Sequence, residues 1–338
     1  MSKNLNTIIQ GSLAEFTPKQ RKVLVDRFGL QTGRRATLQA IGDKLGVTRE
    51  RVRQIEEQAL NKLKPIIQER AKSILELGRT HLAKVGGVRR DDDFVSDFRY
   101  FLNDDQLRYF DRKLRFLFVI AGSPFYHKED DDFYSFWYLK EGDKKNLLDL
   151  IKKTVRFFES KDKKSILKDK IYLDQTKDTS SLYALSISKR FGVNTFGDFG
   201  LSDWPEIKPK TIRDKIYLAL HKEDQPLHFE DIAKCINKHA FDSKQAHPQT
   251  VHNELIKDNR FVLVGRGIYG LKEYGYEPGT VREVIARLLK ENGSLASSEV
   301  VELVNKNRIF KKQTILLNLQ NRKHFKRLNN GQYTIHNA

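Results

Sequence analysis

The sequence has one cysteine and one methionine in 338 residues, and only eight prolines. No apolar run approaches the roughly 18–20 residues a membrane-spanning helix needs. The lone thiol, Cys235, excludes an intramolecular disulfide and a cysteine-based zinc site, and it fits a reducing cytoplasm. Residues 1–16 lack the charged-then-apolar pattern of a signal peptide. No GxxxxGK[ST] phosphate loop is present, and Gly265-Arg266-Gly267 reads as a hairpin tip rather than a nucleotide cradle.

What the chain has in excess is positive charge. Its formal net charge is +18, with 39% hydrophobic residues, enough for folded cores. The excess sits at the two ends: residues 17–72 and 206–338 each carry a net +8, whereas 85–205 carries +1. Lysine and arginine concentrated in this way suit neutralisation of phosphates, the main sequence-independent source of nucleic-acid affinity. The alternative is a generally basic cytoplasmic protein.

The length implies about two to four domains. Residues 12–84 read as helices joined by short turns. Gly86-Gly87, Arg89-Arg90 and Asp91–Asp93 read as a linker or exposed loop. Residues 91–205 mix helical periodicity with an aromatic stretch that reads as strand. The remainder contains a repeat. Phe261, Val264, Gly267, Tyr269 and Leu271 recur 64 positions later as Phe325, Leu328, Gly331, Tyr333 and Ile335. Each set alternates about a glycine turn, as a β-hairpin does. Thr211, Ile212, Arg213, Asp214, Ile216 and Leu220 recur 69 positions later as Thr280, Val281, Arg282, Glu283, Ile285 and Leu289. The first copy predicts helices over 210–222, 228–239 and 248–258 and a hairpin over 261–272. This is the order of a winged helix, whose third helix and wing usually face DNA; use of both copies for protein contacts is the other reading. The expected fold is mainly α with small β wings: a helix-turn-helix domain (12–84), a mixed α/β middle domain (91–205) and tandem winged helices (206–273 and 278–336).

The most informative segment is 37–63. Thr37 suits the cap of a short helix with Leu38, Ile41 and Leu45 on one face. Gly46-Val47 makes the turn. Thr48 caps a second helix on which Val52, Ile55, Ala59 and Leu63 form an inward stripe. Arg49, Glu50, Arg53 and Gln54 then point outward within the first two turns. A major-groove helix presents its N-terminal residues to base edges; arginine suits guanine, glutamine adenine, and glutamate accepts from the cytosine amino group. Thr37, Thr48, Arg51, Lys62 and Lys64 are the candidate phosphate contacts, which position the helix without reading sequence. Among the C-terminal cations, Lys311, Lys312, Lys326 and Arg327, with Arg322 and Lys323 beside them, are candidates for DNA backbone contact. A solvated basic face is their alternative.

The run from 16 to 65, FTPKQRKVLVDRFGLQTGRRATLQAIGDKLGVTRERVRQIEEQALNKLKP, resembles region 4 of primary bacterial sigma factors almost continuously. That resemblance implies that Arg49, Glu50, Arg53 and Gln54 read a −35-like element in double-stranded DNA. It also implies docking on the β-subunit flap of RNA polymerase. Val23, Leu24 and Phe28 are candidates for that contact, with packing of the small core as their other role. The expected location is the bacterial cytoplasm, in association with the nucleoid. The resemblance covers about 15% of the chain, and the promoter-melting segment of a full sigma factor is not recognisable; unaided promoter opening is not expected. WPEIKPKTIRDKIYLALHKEDQPLHFEDIA, followed by the RFVLVGRGIYGL hairpin, is similar to HARE-type winged helices. These occur in the delta subunit of RNA polymerase and in proteins of DNA modification and restriction. The likeness is good over 204–272 and weaker over 278–335.

Other constellations carry less. The aromatic run from Phe125 to Tyr138 suits base stacking, but Glu129 and Asp130–Asp132 repel phosphate, so a sheet packed on helices is expected. Asp143-Lys144-Lys145, with Asp130–Asp132, fits a nuclease motif, a remote alternative beside a polymerase adaptor that binds mainly protein. Asp143 itself reads as loop before a helix over 145–159. The nine histidines show no ligand spacing, and Cys235 shares an apparently apolar stripe with Ile232 and Ile236. No catalytic residue, metal or cofactor is expected.

Overall fold

The computed structural model describes residues 4–103, 106–163, 166–167, 179–241, 243–276, 279–307 and 310–336. It is mostly helical with small antiparallel sheets. The chain divides into two compact units, one running to Gly192 and including Phe199–Ser202, the other made of Val193–Asp198 and the residues from Asp203 onward.

The first unit begins with α1 (Leu5–Leu13), α2 (Pro18–Phe28), α3 (Leu38–Leu45), α4 (Arg49–Arg70) and α5 (Lys72–Lys84). Local chemistry sets their ends. Thr17 and Gln20 form a capping box on α2 with Pro18 in the first turn, and Gly29 ends that helix with φ 67°. Helix α4 continues through Pro65 to Arg70, so the stripe Val52, Ile55, Ala59, Leu63 extends one further turn to Ile67. Along it, α4 enters two cores. Val52 and Ile55 pack with Val23 and Ile41. Ala59, Leu63 and Ile67 pack in a larger core with Leu5, Ile9 and Leu13 of α1, and with Phe94, Phe98, Leu114, Phe118 and Trp137.

That larger core crosses the segment expected to be a linker. Val88–Arg90 is a strand, β1, and α6 (Asp91–Leu102) follows it directly. β1 pairs antiparallel with β3 (Phe136–Tyr138), placing Arg89 opposite Trp137, and β3 pairs with β2 (Phe125–His127). Asp91 is 2% exposed. Its Oδ1 accepts from the Trp137 indole N–H at 2.8 Å and its Oδ2 from Arg115 Nε at 2.7 Å. The charged doublets looked like solvated chain, yet Arg89 is also buried, paired with Asp97 at 2.9 Å. The ion pairs make that burial tolerable.

The aromatic stretch is sheet: Phe136, Trp137 and Tyr138 are all buried. α7 (Phe110–Ala121) packs beneath it, with Phe118 edge-on to Trp137 at 5.6 Å. Asp143 lies not in a loop but in the first turn of α8 (Glu141–Ser160), where Oδ2 accepts from the Lys140 N–H at 3.2 Å. α9 (Thr179–Leu185) follows, and the chain leaves this unit through a ribbon of β4 (Phe191–Val193) and β5 (Phe199–Leu201).

The second unit holds both copies of the repeat. The first has α10 (Ile212–Glu223), β6 (Leu227–His228), α11 (Phe229–His239), α12 (Pro248–Lys257), β7 (Phe261–Gly265) and β8 (Ile268–Leu271), with strand order β6-β8-β7. The second has α13 (Val281–Asn292), α14 (Ser297–Asn307), α15 (Lys312–Leu319), β9 (Phe325–Arg327) and β10 (Tyr333–Ile335). The correspondence reaches individual bonds. Thr211 with Asp214, and Thr280 with Glu283, form equivalent capping boxes. Leu227 pairs with Tyr269 in one copy and Leu295 with Tyr333 in the other. Each copy closes its own core, around Ile216, Ile232 and Val251 in the first and Ile285, Val300 and Ile315 in the second.

Candidate nucleic-acid interface

Two threonines and two glycines build the α3–α4 corner. Thr37 Oγ1 accepts from the Ala40 N–H at 3.1 Å, and Thr48 Oγ1 from the Arg51 N–H at 3.2 Å. Each satisfies a donor that helix geometry leaves open. Gly46 ends α3 with φ 63°, a conformation that costs glycine little. Gly42 is needed for a different reason: a Cβ there would lie 2.6 Å from the Val47 carbonyl oxygen, so only glycine lets the turn fold so tightly over α3.

This corner fixes the rotation of α4. Val52 is fully buried and Ile55 nearly so, which leaves Arg49, Glu50, Arg53 and Gln54 exposed on the first two turns. The four are not independent. Arg53 Nη2 lies 2.8 Å from Glu50 Oε1, its Nε donates to both carboxylate oxygens, and Nη1 reaches Glu57 Oε2 at 3.1 Å. The hydrogen bonds from Arg53 hold the Glu50 carboxyl below its ordinary range, and Glu50 in turn raises Arg53. Arg51 Nη1 donates to Gln54 Oε1 at 3.0 Å. A ligand that competes for Arg53 or Gln54 therefore exchanges solvent-screened surface ion pairs and hydrogen bonds, which oppose it only weakly.

The remaining candidates separate by position. Thr37 and Thr48 are exposed, with their oxygens engaged in the caps. Lys62 and Lys64 are exposed on the later turns of α4, about 20 Å along the helix from Arg49 at 1.5 Å per residue. The Lys64 ammonium lies beside Gly122, the C-terminal cap of α7, where a helix end favours a cation. Arg34 and Arg35, an adjacent pair in the sequence, are exposed on the turn leading into α3 and add two cations beside this corner.

The expected surface of Val23, Leu24 and Phe28 does not exist as such. Val23 and Leu24 are both 0% exposed, Val23 against Ile41 and Val52, Leu24 in the larger core. Phe28 is half-buried, edge-on to Phe116 at 4.9 Å. Val23 and Leu24 hold α2 against its neighbours and are not free to form an outer face, whereas Phe28 keeps part of its ring exposed.

In the last repeat, Lys311 and Lys312 sit at the start of α15, and Lys326 and Arg327 lie on β9; all four are exposed. Among the described residues no carboxylate pairs with them, and Arg327 lies over the Tyr333 ring at 6.0 Å. The first repeat differs. Its Arg213 pairs with Glu254, Lys257 with Glu254 at 3.3 Å, and Arg260 with Asp258 at 2.7 Å. Asp130 accepts from His127 and from the Asp132 and Phe133 N–H groups. Among the described residues Asp130–Asp132 and Asp143 do not converge on a common metal position.

Residues 12–64 match the family described as Sigma-70, region 4. The match coincides with the α2–α4 corner just described. Residues 12–64 are a Sigma-70 region 4 domain. The chain is 48% identical over 65 residues to RNA polymerase sigma factor SigA1 of Synechococcus elongatus, covering 19% of this chain and 16% of that protein. It is 50% identical over 56 residues to RNA polymerase sigma-B factor of Nostoc sp., covering 17% of each. It is 54% identical over 52 residues to RNA polymerase sigma factor SigA of Clostridium acetobutylicum, covering 15% and 14%. The chain thus spans about a sixth of the length of these relatives. The region 4 domain accounts for α2, α3 and most of α4, while the core that holds the end of α4 is built from residues outside it. Among the described residues no helix is long and apolar enough to cross a membrane.

Proposed function

We propose that this chain is a sigma-factor-related, sequence-specific DNA-binding protein that reads a −35-like promoter element and contacts RNA polymerase in the bacterial cytoplasm. The observation that carries this reading is the exposure of Arg49, Glu50, Arg53 and Gln54 on the first two turns of α4, with the opposite stripe buried. Such a helix end fits the major groove. Arg49 and Gln54 supply the donors that guanine and adenine edges take, and Glu50 with Arg53 acts as a preset pair. Polymerase contact follows from the region 4 match and not from Val23 or Leu24.

The C-terminal repeats enter the same reading as HARE-like tandem winged helices. Cations on α15 and β9 that have no carboxylate partner among the described residues favour DNA backbone contact by the second copy. In the first copy Arg213, Lys257 and Arg260 are engaged by Glu254 and Asp258. No catalytic role is assigned to any residue. The deciding experiment selects a preferred duplex from random sequence and compares variants on it. Arg49→Ala or Gln54→Ala should weaken that complex by about 1–3 kcal/mol and relax preference at the contacted base. Unchanged discrimination in both variants overturns the readout.

A further inference from the structure

Cys235 and His239 are four residues apart on α11, so their side chains lie one turn apart on one face. That face meets the last turn of α10, where Glu223 is the final helical residue. Cys235 is half-buried, beside Ile232 and Ile236 of the first repeat's core, and its Sγ lies 3.9 Å from Glu223 Oε1. One ligand atom from each of Glu223, Cys235 and His239 lies within 4.8 Å of the other two.

These three groups have few other commitments. Among the described residues no lysine or arginine forms an ion pair with Glu223, in a chain that holds 62 of them. The His239 ring has no hydrogen-bond partner among those residues; Phe196 sets its plane, edge-on at 4.7 Å, and Phe241 flanks it at 6.4 Å. Two ring contacts orient the imidazole and leave its nitrogens free to coordinate.

We propose that Glu223, Cys235 and His239 bind one thiophilic divalent cation of the zinc class, with water as the fourth ligand; one thiolate is enough for this mixed site, so a cysteine count of one excludes only sites built from several cysteines. Bonds of about 2.3 Å to sulfur and about 2.0–2.2 Å to nitrogen and oxygen place tetrahedral donors roughly 3.5 Å apart. The Cys235 sulfur and Glu223 Oε1 are 3.9 Å apart and no pair of the three atoms exceeds 4.8 Å, so side-chain adjustment on binding closes the site. A thiolate, an imidazole and a single carboxylate select zinc or cobalt(II) over magnesium and calcium, which demand oxygen donors. On binding, the thiol loses its proton to solvent and the sulfur–metal bond forms; no electron is transferred. Because the thiol gives up its proton on binding, metal uptake strengthens as pH rises. The bound ion would clip the end of α10 to α11, directly upstream of α12.

Cobalt titration of the reduced full-length chain reads the sulfur directly, because a cobalt–thiolate bond gives an ultraviolet charge-transfer band that carboxylates and imidazoles do not. The expected result is a band that saturates at one cobalt per chain and disappears when zinc is added. Cys235→Ser should abolish it. Glu223→Gln and His239→Gln, which alter partly or fully exposed positions, should each weaken binding roughly tenfold or more. They keep the test alive if Cys235→Ser fails to fold. Zinc should raise the thermal midpoint of the parent and not of Cys235→Ser. Absence of the band, or a band of parental affinity in both Glu223→Gln and His239→Gln, overturns the site. Neither outcome bears on DNA reading by α4, which the Arg49 and Gln54 variants test separately.

Discussion

The indole N–H of Trp137 donates to the Asp91 carboxylate at 2.8 Å, across 46 positions of sequence. The bond lies in the core that also receives Leu63 and Ile67 from α4. The first half of α4 is thus displayed by a small helix-turn-helix core, and its second half is anchored by the sheet and helices that follow. Burial raises the Asp91 carboxyl above its ordinary range even against Arg115 and the indole. Arg115, in turn, stays raised by Asp91 despite the opposing effect of its own burial.

Removing that carboxylate strands the Arg115 guanidinium and the indole N–H. Asp91→Ala should cost about 3–5 kcal/mol, the usual consequence of leaving a buried charge without its partner. Asp91→Asn keeps an acceptor for Trp137 and should cost less. Urea unfolding followed by Trp fluorescence measures both. A loss below about 1 kcal/mol for Asp91→Ala would mean that solvent already reaches the pair.

The two repeats should differ in their response to salt. If Lys326 and Arg327 each neutralise a phosphate, their joint replacement by alanine reduces the slope of log affinity against log salt by about two on random duplex. Lys257→Ala serves as the control, because that ammonium is already paired with Glu254. Equal slopes for the parent and the Lys326/Arg327 double variant would remove β9 from the DNA surface.

Acid stability should depend on Asp258. Hydrogen bonds from Arg260 hold its carboxyl below the ordinary 3.8. A depressed folded-state value means that the pair adds stability above 3.8 and loses it as pH falls through that value toward the lower folded one. Asp258→Asn should therefore lower stability at neutral pH by about 0.5–1 kcal/mol, a modest figure because Arg260 is partly exposed. The difference from the parent should vanish at the acid end. Chemical denaturation at neutral and acid pH checks both the size and the sign.

Several features were legible because they are local. Thr37, Gly46 and Thr48 are capping and turn residues whose effect spans one helical turn, so the α3–α4 corner could be read from spacing alone. The 64-residue recurrence from Phe261 and Tyr269 to Phe325 and Tyr333 marks both hairpins. The pattern did not show how polar groups would be compensated. Arg89 and Asp91 read as solvated because each is charged. Their burial depends on Asp97, Arg115 and Trp137, which arrive from later elements. Val23 and Leu24 are apolar in either role, and only packing against Ile41 and the larger core shows that they face inward.

The order of residues alone determined which face of α4 is polar, where that helix starts, and that the C-terminal half is built twice. Those properties follow from caps, turns and periodicity, whose range is a few residues. Tertiary structure decided that one core joins α1, α4 and β3, and that Glu223, Cys235 and His239 meet where α10 ends against α11. Contacts between segments far apart in the chain depend on helix packing and buried charge pairing, and no local pattern encodes either.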